Sequence, residues 1–329
     1  MNDKVSARSS SSGLSSYIAE TFGVSESEFQ SALEMSPGSQ GSIAGAISEI
    51  LLKRRLEDDG FEVLRIKEKP SGGNDAKNSE ARGDFYFRPT GSKKDEWWVI
   101  ESKGLKSNSE FRGGKLDSPE KVFRFLNSRI FSPNRSLDSI YESGLQRYEK
   151  ECIGWESKHR GKSFPKFSWS RKFPGAECFD LDGIWSNSSE LEDWTKSLPP
   201  ERFSEASYRS RRGAIAVLET HQPSQRQAPI TGKDQAAPLV DDFNVMAVDL
   251  FFRTGSHDFV FMNSEEIAHS PTSPEHLYQN YTIDILVPGL KDQPRIARPW
   301  YQEINSLIEL TDPKPRPLDE SQLDRRGEE

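Results

Sequence analysis

The amino-acid sequence predicts a mixed α/β (α+β) domain in which helices flank a central mixed sheet. Three observations carry this reading. A long helix-forming run is followed by three short β-prone runs, a second helical stretch fills the middle of the chain, and β-prone runs return after residue 212. The first run is "SIAGAISEILLKRRLEDDG", which Ser42 can cap, good helix formers fill and Gly60 stops. "FEVLRI" follows as a strand, and then, past a polar loop over 69–81, "GDFYFRP" and "EWWVIESKG". The turn-forming "TGSKKD" joins the last two, so they read as antiparallel neighbours.

The other elements follow in order. Residues 1–13 are serine-rich, and 14–34 space Ile18, Phe22, Phe29 and Leu33 as short amphipathic helices do. "SPGSQG" reads as a linker to the long helix, which makes 1–41 an N-terminal arm. "SPEKVFRFLNSRIF" and "SLDSIYESGLQRYEKE" are helical, and 152–212 is a mixed segment inserted into the main domain, 42–310. Strand patterns come at "GAIAVLET", "VMAVDLFFRT", "DFVFMN" and "YTIDILVPG", with the Pro/Gln-rich loop "HQPSQRQAPITGKDQAAP" among them. The charged, proline-rich end over 311–329 is expected to be disordered.

Composition narrows the function classes. The chain of 329 residues carries a formal net charge of −8, so nothing draws it as a whole to nucleic acid or an anionic membrane. Contact with a polyanion then needs a local basic patch or bound cations. Cys152 and Cys178 lack CxxC spacing, which points to free thiols in a reducing compartment. "MNDKVSARSSSSG" has no apolar signal region and no run is long enough to span a bilayer, so a cytoplasmic protein without membrane contact is expected.

Asp84, Glu101 and Lys103 carry the most chemical information. Residues i and i+2 of a strand share a face, so Glu101 and Lys103 lie side by side at the end of "WWVI". Hairpin pairing can bring Asp84 beside Glu101. Two carboxylates at one sheet edge repel unless a cation lies between them, and Mg²⁺ takes one or two carboxylates together with waters and a phosphate oxygen. A lysine there can hold the attacking water or neutralise charge growing on phosphorus. The bland reading is a turn aspartate beside a solvated ion pair.

The "GD" of one strand, sixteen intervening residues and an "ESK" closing an apolar strand resemble the PD-(D/E)xK nuclease superfamily, which includes restriction endonucleases. The likeness covers about residues 42–104, with Gly83 where the name-giving proline would stand. It implies a restriction-endonuclease-like core, with Asp84 and Glu101 as metal ligands and Lys103 as the water-orienting base. It also implies Glu49 as an accessory ligand from the preceding helix, and Mg²⁺ or Mn²⁺ as cofactor. Glu49 has another possible role as the i+4 partner of Lys53. It shares a stripe with Gly45, Leu52 and Leu56, while Ile43, Ile47, Ile50 and Leu51 form a second apolar face, so the helix is expected to be sandwiched.

Nucleic-acid contacts are expected from "KHRGKSFPKFSWSRK", where Lys158, Arg160, Lys162, Lys166, Arg171 and Lys172 alternate with Phe164, Phe167 and Trp169 and no acid intervenes. The alternative there is a solvated basic loop whose aromatics pack on the domain. Arg209, Arg211 and Arg212 in "YRSRRG", then Lys106, Arg112 and Lys115, are further candidates. "FDLDGIW" superficially resembles the aspartate motif of haloacid-dehalogenase phosphatases and reads as a turn; Asp249 and Asp258 read as turn or edge residues. His159, His221, His257, His269 and His276 lack metal-ligand spacing, and no phosphate-binding glycine loop is present.

The expectation is a Mg²⁺-dependent endonuclease acting on double-stranded DNA, best matched by a type II restriction enzyme. For a palindromic target that implies a homodimer, and a restriction system implies a cognate DNA methyltransferase. The alternatives are an antiphage effector, a structure- or modification-dependent repair nuclease, and a non-catalytic DNA-binding protein with a decayed core.

Overall fold

The computed structural model describes residues 13–67, 82–104, 116–164, 185–203, 218–219, 226–267, 269–270, 272–277, 280–281, 285–286, 295–296 and 300–325. The chain divides into two compact units, Met1–Ile47 and Ser48–Glu329. In the first, α1 (Leu14–Phe22) and α2 (Glu26–Met35) are the short helices expected over 14–34. Gly23, at φ +69°, ends α1 in the left-handed region that glycine enters without penalty. Ser25 then opens α2 in a reciprocal capping box with Glu28. The division falls inside α3 (Pro37–Asp58), which begins five residues before the expected Ser42 cap. A first-position proline loses no helical hydrogen bond, so the expected linker is already helix. Ser42 lies within it and donates to the Gly38 carbonyl at 3.1 Å.

The second unit is a mixed α/β fold around a five-stranded sheet. Its strands are β1 (Phe61–Arg65), β2 (Phe85–Pro89), β3 (Trp98–Gly104), β4 (Val245–Asp249) and β5 (Phe259–Asn263), adjacent in that order. The pairs β1–β2, β2–β3 and β4–β5 are antiparallel, whereas β3 and β4 run parallel. Parallel neighbours need a crossover, and here residues 105–244 supply it. That connection contains α4 (Pro119–Ile130), α5 (Pro133–Lys158) and α6 (Ser188–Ser197). Leu116, Val122 and Leu126 cluster there with Leu191 and Leu198 in a separate apolar core.

Side-chain alternation divides the sheet residues between two faces. On one, Phe61, Val63, Phe85, Phe87, Ile100, Val245, Ala247 and Phe261 meet Leu52 and Leu56 of α3 and Ile304 and Leu307 of α8 (Ile304–Thr311). On the other, Tyr86, Val99, Met246, Val248, Val260 and Met262 pack with Trp97, Phe243, Leu277 and Trp300. Each fully buried leucine contributes ~1.5–3 kcal/mol relative to exposure, and Leu52 and Leu56 are both at 0%. Of the second apolar face expected on α3, Leu51 is partly buried against this core, whereas Ile43, Ile47 and Ile50 are exposed.

Two late expectations also change. "VMAVDLFFRT" is strand only to Asp249, then turns into the single-turn helix α7 (Phe251–Thr254), which Gly255 ends at φ +81°. The expected tail over 311–329 is fastened to the sheet across 312–325. Trp97 and Arg316 exchange backbone hydrogen bonds, Lys67 N–H donates to the Gln322 carbonyl and Asp324 N–H to that of Arg65. The Tyr86 hydroxyl is 2.7 Å from Gln322 Oε1. Proline-rich composition marks a segment unfit for helix, and backbone pairing along an edge needs no apolar run.

Candidate active site

The β2–β3 hairpin builds the site. Phe85, the first residue of β2, pairs with Ile100, and Asp84 precedes it at the mouth of the hairpin. The Asp84 N–H donates to the Ile100 carbonyl at 2.8 Å. Its carboxylate Oδ2 accepts from Ser102 N–H at 2.6 Å, which ties the side chain across to β3. Gly83 permits this approach, because a Cβ there would sit 2.5 Å from Val99 Cγ1 and 2.7 Å from the Ile100 carbonyl oxygen. Val99 and Ile100, both at 0% exposure, point to opposite cores and hold β3 between them. Glu101 and Lys103 follow on the Val99 face, and the Lys103 ammonium donates to Glu101 Oε1.

Burial dominates the electrostatics. Glu101 is 7% exposed, and desolvation with the nearby Asp84 charge pushes its carboxyl up to about 7, against the pull of Lys103. Asp84 is pushed up to about 6 by burial and by the Glu49 charge, against Lys103 and the Ser102 N–H. Burial alone would lower the Lys103 ammonium, but the Glu101 and Asp84 charges outweigh it and hold its pKa above the ordinary lysine value. Lys103 is therefore a fixed cation at neutral pH. Burial, with the carboxylates' mutual repulsion, therefore holds protons on Asp84 and Glu101 to a higher pH than usual, and an added cation would oppose that.

Glu49 comes within electrostatic range of Asp84, from α3. Its hydrogen-bond partner is Arg65 at the end of β1, at 3.1 Å, and Lys53 pairs instead with Glu57 at 2.9 Å. Among the described residues no group of three or more His, Cys, Asp or Glu side chains is placed to hold a metal. Asp84 and Glu101 are nonetheless a fitting pair of hard oxygen donors for Mg²⁺, which commonly takes one or two carboxylates and fills the rest with water. Arg65 was missed by sequence reading, as was Asp242, whose charge also raises Glu101. The signal for Arg65 is its place at the β1 terminus. Asp242 had none, since it arrives through the long crossover.

The basic segment is described only in part. Lys158 ends α5, and Lys158, Arg160 and Lys162 are exposed. Phe164 is 4% exposed and packs edge-on against Trp155, ring centroids 5.6 Å apart, so it belongs to the domain and not to a base-stacking surface. Lys166, Phe167, Trp169, Arg171 and Lys172 lie outside the described residues, as do Arg209, Arg211, Arg212, Lys106, Arg112, Lys115, Cys178 and all of "FDLDGIW" but Trp185. Among the described residues no helix is long and apolar enough to cross a membrane. Comparisons of the chain with protein-family models, with curated proteins and with solved structures find no match.

Proposed function

We propose that this chain is a Mg²⁺-dependent endonuclease of the PD-(D/E)xK kind, with a restriction-endonuclease-like core, that hydrolyses phosphodiester bonds of duplex DNA. The observation that carries the reading is the Asp84 carboxylate tied across the hairpin to Ser102 N–H and acting on the Glu101 charge, with Lys103 hydrogen-bonded to Glu101. Burial raises both carboxyls, and that penalty is relieved when a divalent cation binds between them. Polarisation of the scissile phosphate is the chemistry Mg²⁺ held by Asp84 and Glu101 supplies. Lys103, already charged, orients the attacking water and neutralises charge building on the phosphoryl oxygens; it is a poor proton acceptor while its pKa stays raised. Ser102 N–H fixes the Asp84 carboxylate, and Arg65 hydrogen-bonds Glu49, whose charge acts on Asp84. In-line attack leaves a 5′-phosphate and a 3′-hydroxyl.

The direct test incubates the purified protein with plasmid and phage DNA in Mg²⁺ and in EDTA. Asp84→Ala and Lys103→Ala are each expected to lower the cleavage rate by about 10²-fold or more. Discrete fragments point to a type II restriction enzyme, which works as a homodimer on palindromes beside a protective methyltransferase. Random degradation points to an antiphage effector. No Mg²⁺-dependent cleavage of plain, modified or branched DNA sinks the nuclease reading.

A further inference from the structure

The C-terminal segment reaches the candidate site by way of the end of β1. Leu323 forms an antiparallel bridge with Ile66, with Lys67 N–H donating to the Gln322 carbonyl and Asp324 N–H to that of Arg65, both at 2.8 Å. On its other side, Ile66 N–H donates to the Asp84 carbonyl at 2.9 Å. This end of β1 therefore lies between the C-terminal segment and the aspartate at the mouth of the hairpin. The Tyr86 hydroxyl holds Gln322 as well. Residue 324 is thus placed by backbone pairing, whatever its own side chain does.

That placement brings two carboxylates to one guanidinium. Arg65 Nη2 is 3.1 Å from Glu49 Oε2, and its Nε is 3.9 Å from Asp324 Oδ2. The Asp324 side chain is only 4% exposed. A carboxylate withdrawn from water is costly unless a cation stands by it, and Arg65 supplies one. A guanidinium presents five N–H donors in a rigid fork, so it can face two carboxylates at once and set the direction of each. Glu49 is in reach of the site because α3 touches β3 there. The hydroxyl of Ser48 is 3.3 Å from that of Ser102, the residue between Glu101 and Lys103, and the Glu49 and Arg65 charges both act on Asp84.

Carboxylates that bind a metal are oriented by hydrogen bonds from groups behind them, and those outer partners govern the affinity. The run from Asp324 through Arg65 to Glu49 has that form. Resting on the reading of Asp84, Glu101 and Glu49 as a Mg²⁺ site, we propose that Asp324 is a positioning residue for it. Asp324 holds the Arg65 guanidinium, Arg65 fixes the Glu49 carboxylate, and the docked C-terminal segment thereby completes the cation site.

The experiment titrates the full chain with Mg²⁺ in a calorimeter, without DNA, below the lowest thermal midpoint measured for any variant in EDTA. Asp324→Asn is expected to weaken Mg²⁺ binding about tenfold, the size typical of an outer partner. Glu320→Gln removes the same charge from an exposed place in the segment and should leave the affinity as it is. Arg65→Gln, at a half-exposed side chain, gives the sharper sign and decides the matter if Asp324→Asn fails to fold. Losing a cation near the site tightens Mg²⁺ binding through the field alone, whereas losing the bridge weakens it. In a Glu49→Gln background both substitutions should have no further effect, because the carboxylate they position is gone. Tighter or unchanged binding in Arg65→Gln overturns the proposal, as do losses that persist in full without Glu49, even where wild type cleaves DNA. Coupled losses in a protein that cleaves no DNA would end the nuclease reading and leave Asp324 as the positioning residue of a cation site. A wild type that binds no Mg²⁺ ends both.

Discussion

At the scale of single residues, the hairpin depends on an absence. Gly83 stands immediately before Asp84, and its surroundings leave no room for a Cβ. The closer obstacle is a valine methyl, which can give, but the carbonyl of Ile100 at 2.7 Å is backbone held by the Asp84 N–H. Gly83→Ala must therefore push β2 and β3 apart just beside Asp84. A loss of ~1–3 kcal/mol is expected, the usual cost of overpacking, read as a lower urea midpoint with unchanged m-value. The DNA cleavage proposed for this chain should fall in the still-folded fraction as well, because the Asp84 carboxylate is tied to Ser102 N–H on the strand that moves. A wild-type midpoint would mean that the hairpin yields without cost. Asp84, Glu101 and Lys103 were legible as a set because strand alternation and hairpin register are local rules. Asp242 was not, since it reaches the set through the long crossover, and Arg65 offered only its place at the end of β1.

At the scale of elements, α3 illustrates how far periodicity reaches. The stripe of Leu52 and Leu56 was readable and does pack on the sheet, while of the second apolar face Leu51 joins that core and Ile43, Ile47 and Ile50 stay exposed. Both faces have helical spacing, and spacing alone does not say which one meets a partner. The two predict opposite outcomes. Leu52→Ala should cost ~2–5 kcal/mol through lost contacts and a cavity, whereas Ile50→Ala should stay within ~0.5 kcal/mol. Urea titrations of the two variants side by side check this, and equal losses would mean that Ile50 is covered in solution. The start of α3 at Pro37 and the docking of 312–325 escaped sequence reading for a related reason. A proline and a polar tract look like chain breaks locally, yet one opens a helix and the other pairs by backbone along the sheet. The parallel β3–β4 pairing was equally invisible, since the two strands lie on either side of residues 105–244.

At the scale of the whole molecule, the charges at the hairpin couple folding to pH. In the unfolded chain Asp84 and Glu101 titrate at about 4. In the folded, metal-free chain burial holds their protons to about 6 and about 7. Below about pH 4 both states are protonated and the pair contributes no pH dependence. As pH rises from there, the unfolded chain releases protons that the folded chain keeps, so stability declines until both carboxyls have ionised, above about pH 7. The decline should be on the order of a few kcal/mol, since a tenfold difference in proton affinity between the two states is worth about 1.4 kcal/mol. Glu101→Gln removes one of the two ionisations, and its unfolding free energy in EDTA should fall less between pH 5 and pH 8 than that of wild type. Cation binding favours the ionised pair, so the rise in Tm produced by Mg²⁺ should be larger at pH 8 than at pH 5.5. Calorimetry across that range, in EDTA and in Mg²⁺, reads both effects. Parallel pH profiles for wild type and Glu101→Gln would show that the fold does not hold these protons, and with that the electrostatic case for a cation at Asp84 and Glu101 would fail.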